Sequence, residues 1–251
     1  MQARRLPARH GFLWLLGSFR VFRANPPLMT ALTVSYLFLV ILLNVLPLLG
    51  PIIAPLALPA LSVILANGCR AISNGGGTGS VRLLYGLKPM RFELLRLGGL
   101  HLLGSLFILI LSSLLDTGAP SVMSEDAEVD REQMLLEMGK LLLIGLPVVA
   151  AFWFAPLLTA WNGISAPKAV FFSIVAVWRN WQSFLGFCLS IALVAVVLPL
   201  LIMLAAGAIS PVLLSGVSLA LKMALVFVLL PTLMASVYVS YEDVFHGAEP
   251  A

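Results

Sequence analysis

Between Arg23 and Arg70 the chain carries no charged residue. As a single helix rising 1.5 Å per residue, that run would be roughly 70 Å long, about twice a bilayer core. It must therefore cross twice. The reversal is written at Pro47-Leu48-Leu49-Gly50-Pro51, where proline removes backbone donors and glycine permits a tight turn. Asn25-Pro26-Pro27 opens the first crossing and Asn67-Gly68 closes the second. This stretch reads as a transmembrane hairpin, with spans at 28–46 and 52–66.

The remainder of the chain varies the same theme. Residues are 61% hydrophobic and only 10% charged, against about 25% charged in soluble domains. The expected fold is an all-α integral membrane protein, one membrane domain over 1–251. About six transmembrane helices form three hairpins, each preceded by a short amphipathic interfacial segment. The four further spans are 97–115, 140–160, 184–206 and 217–240. No length is left for a sizeable soluble domain. The net charge of +4 is no nucleic-acid footprint, because the basic residues flank membrane segments instead of forming a dense patch. Cys69 and Cys188 stand at no metal-like spacing.

Three stretches read as surface segments. Phe12, Leu15, Leu16, Phe19 and Phe22 recur at helical spacing ahead of Arg20 and Arg23. Residues 81–95 mix leucines with Arg82, Lys88 and Arg91. Residues 166–182 place Val170, Phe171, Ile174, Trp178 and Trp181 on one side, with Lys168, Arg179, Asn180 and Gln182 on another. The glycine-rich run Asn74–Ser80 lacks a following Gly-Lys-Ser/Thr and reads as a linker. Residues 116–139 form an acidic loop, with Asp116, Glu125, Asp126, Glu128, Asp130, Glu132 and Glu137 opposed by Arg131 alone. A helix started near Ser124 is expected to run through Met134 and Met138 into the fourth span. Residues 241–251 read as a short tail.

Lysine and arginine lie almost entirely to one side of these spans: the N-terminus, the 67–96 loop, the 161–182 segment and the tail. The positive-inside rule puts that side, and both termini, in the cytoplasm of a bacterial inner membrane. The second span of each hairpin also carries a proline with leucine two residues on, at Pro59-Ala60-Leu61, Pro156-Leu157-Leu158 and Pro231-Thr232-Leu233. A threefold internal repeat would pack three hairpins around a central axis, with the prolines kinking the second helices.

Chemistry-bearing residues inside the spans are few. Asn44 is expected to hold helices together or to cap the turn at Pro47. His101 reads as a proton relay, a helix-to-helix hydrogen bond or a headgroup contact. Lys222, a turn or two inside the sixth span, would pair with Asp116 or Glu137, bind an anionic headgroup or snorkel outward. There is no His-Glu-x-x-His, no Gly-x-Ser-x-Gly and no pair of intramembrane acids. No catalytic residue, metal ligand or cofactor site is expected. The remaining candidate is a basic surface of Arg20, Arg23, Arg70, Arg82, Lys88, Arg91, Arg96, Lys168 and Arg179. Each exposed basic residue near anionic lipid contributes about 1 kcal/mol.

Two stretches carry a resemblance. Ala66-Asn67-Gly68-Cys69-Arg70-Ala71-Ile72 is one. The other is Phe152 through Leu158, continued by Trp161, Lys168-Ala169, Phe172-Ser173 and Trp178-Arg179-Asn180. From about Gly11 to Phe245 the chain resembles an uncharacterised family of proteobacterial, especially beta-proteobacterial, inner-membrane proteins. A looser likeness is to the membrane domain attached to some glycerophosphodiester phosphodiesterases, whose catalytic motif is missing here. The resemblance implies six spans in the inner membrane and brings no activity or site residues with it. The expected function is a non-enzymatic scaffold or accessory for membrane lipid or a membrane protein partner. The alternative is a small transporter or channel with a path between kinked hairpins, reaching Asn44, His101 or Lys222.

Overall fold

A computed structural model describes residues 3–47, 49–75, 79–115 and 131–246. Among the described residues the fold is all-α, and six helical stretches are long and apolar enough to cross a membrane. The five acids from Asp116 to Asp130 and the middle of the glycine-rich run lie outside the described residues.

Helix α1 (Arg9–Ala24) leads directly into α2 (Pro26–Val45), because Asn25 sits between them in a non-helical conformation. The Asn25 side chain caps α2 by accepting from the Leu28 N–H. Helix α3 (Gly50–Ser73) returns. The turn is tight enough that a Cβ on Gly50 would fall 2.5 Å from the Leu43 carbonyl oxygen. A single turn, α4 (Ser80–Leu83), and an irregular stretch lead to α5 (Arg91–Leu115). The second surface segment is thus largely non-helical, and α5 starts six residues earlier than the expected span.

Helix α6 (Arg131–Trp153) extends beyond the expected fourth span, as the reading of residues 134–138 anticipated. It breaks at Phe154 and continues as α7 (Ala155–Asn162), ending on Gly163 at φ +66°. Helix α8 (Ala166–Arg179) lies between hairpins. Helix α9 (Trp181–Ala192) passes through a π-helical turn, Leu193–Val197, into α10 (Leu198–Ile209). After Ser210, α11 (Pro211–Ala224) passes through a second π turn, Leu225–Leu229, into α12 (Leu230–Phe245).

The prolines explain these irregularities one by one. Pro199 and Pro231 each stand second in the helix that follows a π turn. A proline offers no N–H, so the turn before it widens and closes from residue i to i−5: Leu198 to Leu193, and Leu230 to Leu225. The Phe227 carbonyl, four residues before Pro231, lies 3.5 Å from the Thr30 hydroxyl. The break before Pro156 has another cause. The Ala150 carbonyl and the Phe154 N–H, which would pair in an unbroken helix, are joined through the Ser173 hydroxyl. It accepts from Phe154 N–H at 3.0 Å and donates to Ala150 O at 2.7 Å. A side chain from α8 is spliced into the ladder of the fourth span. Pro59, the third of the set, stays within an unbroken α3.

The second helices of the hairpins form the centre. Helix α3 contacts both α7 and α12. Helices α7 and α12 meet through the Trp161 ring on Tyr238 and Tyr241. Each surface segment packs on the preceding hairpin: α4 on α3, α8 on α5, α6 and α7, and α1 on α9 and α12. That last contact closes the cycle. Packing is greatest where α3, α7 and α12 end; Val63, Leu65, Phe154, Leu157, Leu158, Tyr241 and Val244 are all buried there. The opposite halves spread apart, and α10 and α11 bury almost nothing except against each other.

Candidate functional site

The packed end is also the polar end. Alternating helix direction brings together the starts of α2, α5 and α9 and the ends of α3, α7 and α12. Hydrogen bonds between distant segments confirm the meeting. Arg4 N–H donates to Val244 O at 3.0 Å. Asn67, buried near the end of α3, donates to the carbonyls of Leu83 and Tyr85 and accepts from Trp161 Nε1 at 2.9 Å. The Arg70 guanidinium lies 5.1 Å from the centroid of the Trp161 ring, a cation–π distance. The Tyr241 hydroxyl bonds Asn162.

A second cluster joins the two ends of the chain. Asp243, its side chain 3% exposed, accepts at one oxygen from Trp14 Nε1 and meets His10 Nδ1, each at 2.7 Å. An ionised carboxylate only accepts, so His10 carries its proton on Nδ1 when Asp243 is charged. Asn180 is buried beside this cluster. It accepts from Leu6 N–H and donates to the carbonyls of Arg4 and Ala176. Ser183 holds Leu6 and Pro7 through their carbonyls. Residues 4–7 are therefore pinned to the ends of α8 and α12 and the start of α9.

Three expectations change here. Residues 241–245 are no tail: α12 runs to Phe245 with Tyr241, Asp243 and Val244 buried. Asn180 does not share a solvated face with Arg179; it is fully buried. Helix α1 is more than a surface helix, since Trp14, Val21 and Phe22 enter the core while Phe12, Leu16 and Phe19 stay exposed. What could have signalled the first two is helical spacing across Tyr238, Tyr241 and Phe245, and an asparagine following an arginine in the Trp178–Asn180 motif.

All nine residues of the basic set are exposed at this end or on its flanks. Arg20 and Arg23 close α1, Arg70 is near the end of α3, and Arg82, Lys88, Arg91 and Arg96 lead into α5. Lys168 begins α8 and Arg179 ends it. Arg96 pairs with Glu93 at 2.5 Å, and Glu93 in turn accepts from the Ala166 N–H at 2.8 Å, capping α8. Arg91 lies over the Phe92 ring.

The three intramembrane polar residues are not brought together. Asn44 is exposed and donates to Val40 O on its own helix, so it neither joins helices nor caps the turn. His101 is half-buried, its ring edge-on to Phe152 at 4.6 Å, with Nδ1 lacking a partner among the described residues. Lys222 is exposed on α11, as are Leu219 on the same helix and Val226 in the π turn that follows. Because α11 begins at Pro211, Lys222 stands about three turns in, deeper than expected. Of the two cysteines, Cys69 is buried against Met29 and Cys188 is exposed. No group of three or more His, Cys, Asp or Glu gathers as a metal site among the described residues.

Six crossing helices closed at one end by a buried polar cluster define a polytopic α-helical membrane protein. A probable inner membrane protein of Burkholderia thailandensis is 30% identical over 196 residues, which cover 73% of each chain. The chain belongs to that family of bacterial inner-membrane proteins. No family model matches it, and no solved structure matches it.

Proposed function

We propose that the chain is a non-catalytic scaffold or accessory of the inner membrane. Its basic end faces the cytoplasm and engages anionic lipid headgroups or the acidic surface of a membrane partner. The observation that carries this reading is the shared location of the nine exposed basic residues around a rigid, hydrogen-bonded end of the bundle. Rigid placement lowers the ordering cost of binding, and juxtamembrane basic residues attract anionic leaflets. Helix α8 suits the same place: it turns Ala166, Ala169, Ser173 and Ala176 inward and leaves Phe171 and Trp178 exposed for the interface, with Trp181 exposed at the start of α9.

The transporter reading is weaker. Asn44 and Lys222 are exposed on separate helices, and the spread half of the bundle presents mainly leucine, valine and isoleucine. Native mass spectrometry of protein released gently from its own membrane tests the proposal. Wild type is expected to carry a stoichiometric anionic lipid or protein adduct. That adduct is lost when Arg82, Lys88, Arg91 and Arg179 are changed to Gln. A bare wild-type monomer contradicts the proposal.

A further inference from the structure

Where α5 meets the start of α8, the surface opens into a groove of about 560 Å³. One wall is a single face of α5, where Glu93, Arg96, Gly99, Leu100 and Leu103 succeed one another. These positions descend about 15 Å along the helix axis, from the charged pair at the polar end to leucines within the span. The other wall is Ser165 and Pro167 at the start of α8. The groove is therefore graded: charged at the level of the basic end and apolar below it.

Two adjacent glycines show that the groove is separate from the helix packing. A Cβ on Gly98 would fall 2.6 Å from the Leu56 carbonyl oxygen, so Gly98 is where α5 presses against α3. A Cβ on Gly99 would meet nothing within 4 Å. The Glu93 charge is already answered by Arg96 and by the Ala166 N–H. Arg96 is bound to Glu93 through one terminal nitrogen, Nη1, and its side chain is 71% exposed. A guanidinium has five donors, so the rest of the fork remains for an oxyanion. Lys168, exposed and next to Pro167, adds positive charge beside the groove.

We infer that this groove holds one anionic glycerophospholipid from the surrounding leaflet, its phosphate on Arg96 and Lys168 and an acyl chain along Gly99, Leu100 and Leu103. The occupant follows from the gradient. A soluble anion has no use for the apolar floor, and a zwitterionic lipid has no net charge to match the cations. The inference rests on the reading that the basic end meets anionic lipid, and it narrows that reading to one place.

The test uses the full chain in nanodiscs of phosphatidylcholine doped with phosphatidylglycerol, with retained lipids counted by native mass spectrometry. Wild type is expected to keep one phosphatidylglycerol per chain in preference to phosphatidylcholine. Arg96→Gln removes a charge-assisted contact and should lower that retention about tenfold or more. Gly99→Leu leaves every charge in place, fills the floor, and should do the same. Equal retention of the two lipids by wild type overturns the inference, as does Gly99→Leu or Arg96→Gln retaining phosphatidylglycerol like wild type. If Gly99→Leu fails to fold, the exposed Arg96→Gln variant decides alone. If instead the Arg82, Lys88, Arg91 and Arg179 quadruple variant loses lipid while Arg96→Gln and Gly99→Leu keep it, the groove is refuted and the broader reading survives.

Discussion

Ser173 is small, uncharged and easily passed over, yet its hydroxyl satisfies both backbone groups that the break before Pro156 leaves apart. Ser173→Ala strands a buried N–H and a partly buried carbonyl and should cost about 1–3 kcal/mol. Ser173→Thr keeps the hydroxyl and should recover part of it. Unfolding midpoints in mixed detergent titrations check both. Asp243 is the other decisive side chain, since it holds Trp14 and His10 at once. Asp243→Ala leaves the Trp14 indole N–H buried without a partner, again about 1–3 kcal/mol, and removes the side-chain contacts of His10 and Trp14 to α12. Faster limited proteolysis before Arg9 should accompany that loss; an unchanged digest would show that Asn180, Ser183 and the Arg4–Val244 backbone bond suffice to hold the N-terminal segment. Neither residue was readable in the sequence. A serine in an amphipathic segment and an acid in an apparent tail look alike whether buried or solvated. Only the fold brings Ala150 and Phe154 to one, and Trp14 to the other.

At the scale of helices, much was legible. The uncharged run fixed the first hairpin, and the alternation of charge fixed which ends lie together. Boundaries were less so. The gap expected at 207–216 was too long, because apolar residues can continue a helix past the bilayer core and Ser210 suffices as an N-cap; α5 likewise starts at Arg91, ahead of the expected span. Proline predicted where helices are irregular but not how. The same Pro-x-Leu pattern meets an unbroken helix, a spliced break and a π turn. Which one occurs depends on a neighbouring hydroxyl or on room to widen a turn. Packing in lipid relies on close approach instead of water exclusion, and Gly98 is where α3 and α5 show it. Gly98→Ala should destabilise by about 1–3 kcal/mol through overpacking. Gly99→Ala, facing open space, should be neutral or gain up to about 1 kcal/mol of helix propensity. Equal unfolding midpoints for the two variants would contradict this account of the α3–α5 contact.

For the whole molecule, three hairpins share one tightly bonded end and part at the other. The cyclic order of α1, α4 and α8 on preceding hairpins fits the proline repeat seen in the sequence, although α4 is only one turn long. The basic set was legible residue by residue, because side-chain charge next to a span has little choice of location. The asparagine, tryptophan and aspartate contacts that make its base rigid were not, since they join residues far apart in the chain. The account needs that end to face the cytoplasm. The most direct measurement places a cysteine at Arg82, which is exposed, in a background where exposed Cys188 is serine and Cys69 remains buried. A membrane-impermeant maleimide is then applied to spheroplasts and to inverted inner-membrane vesicles. Labelling in inverted vesicles and protection in spheroplasts is the predicted result. Labelling of intact spheroplasts would turn the basic end to the periplasm and contradict the proposed function.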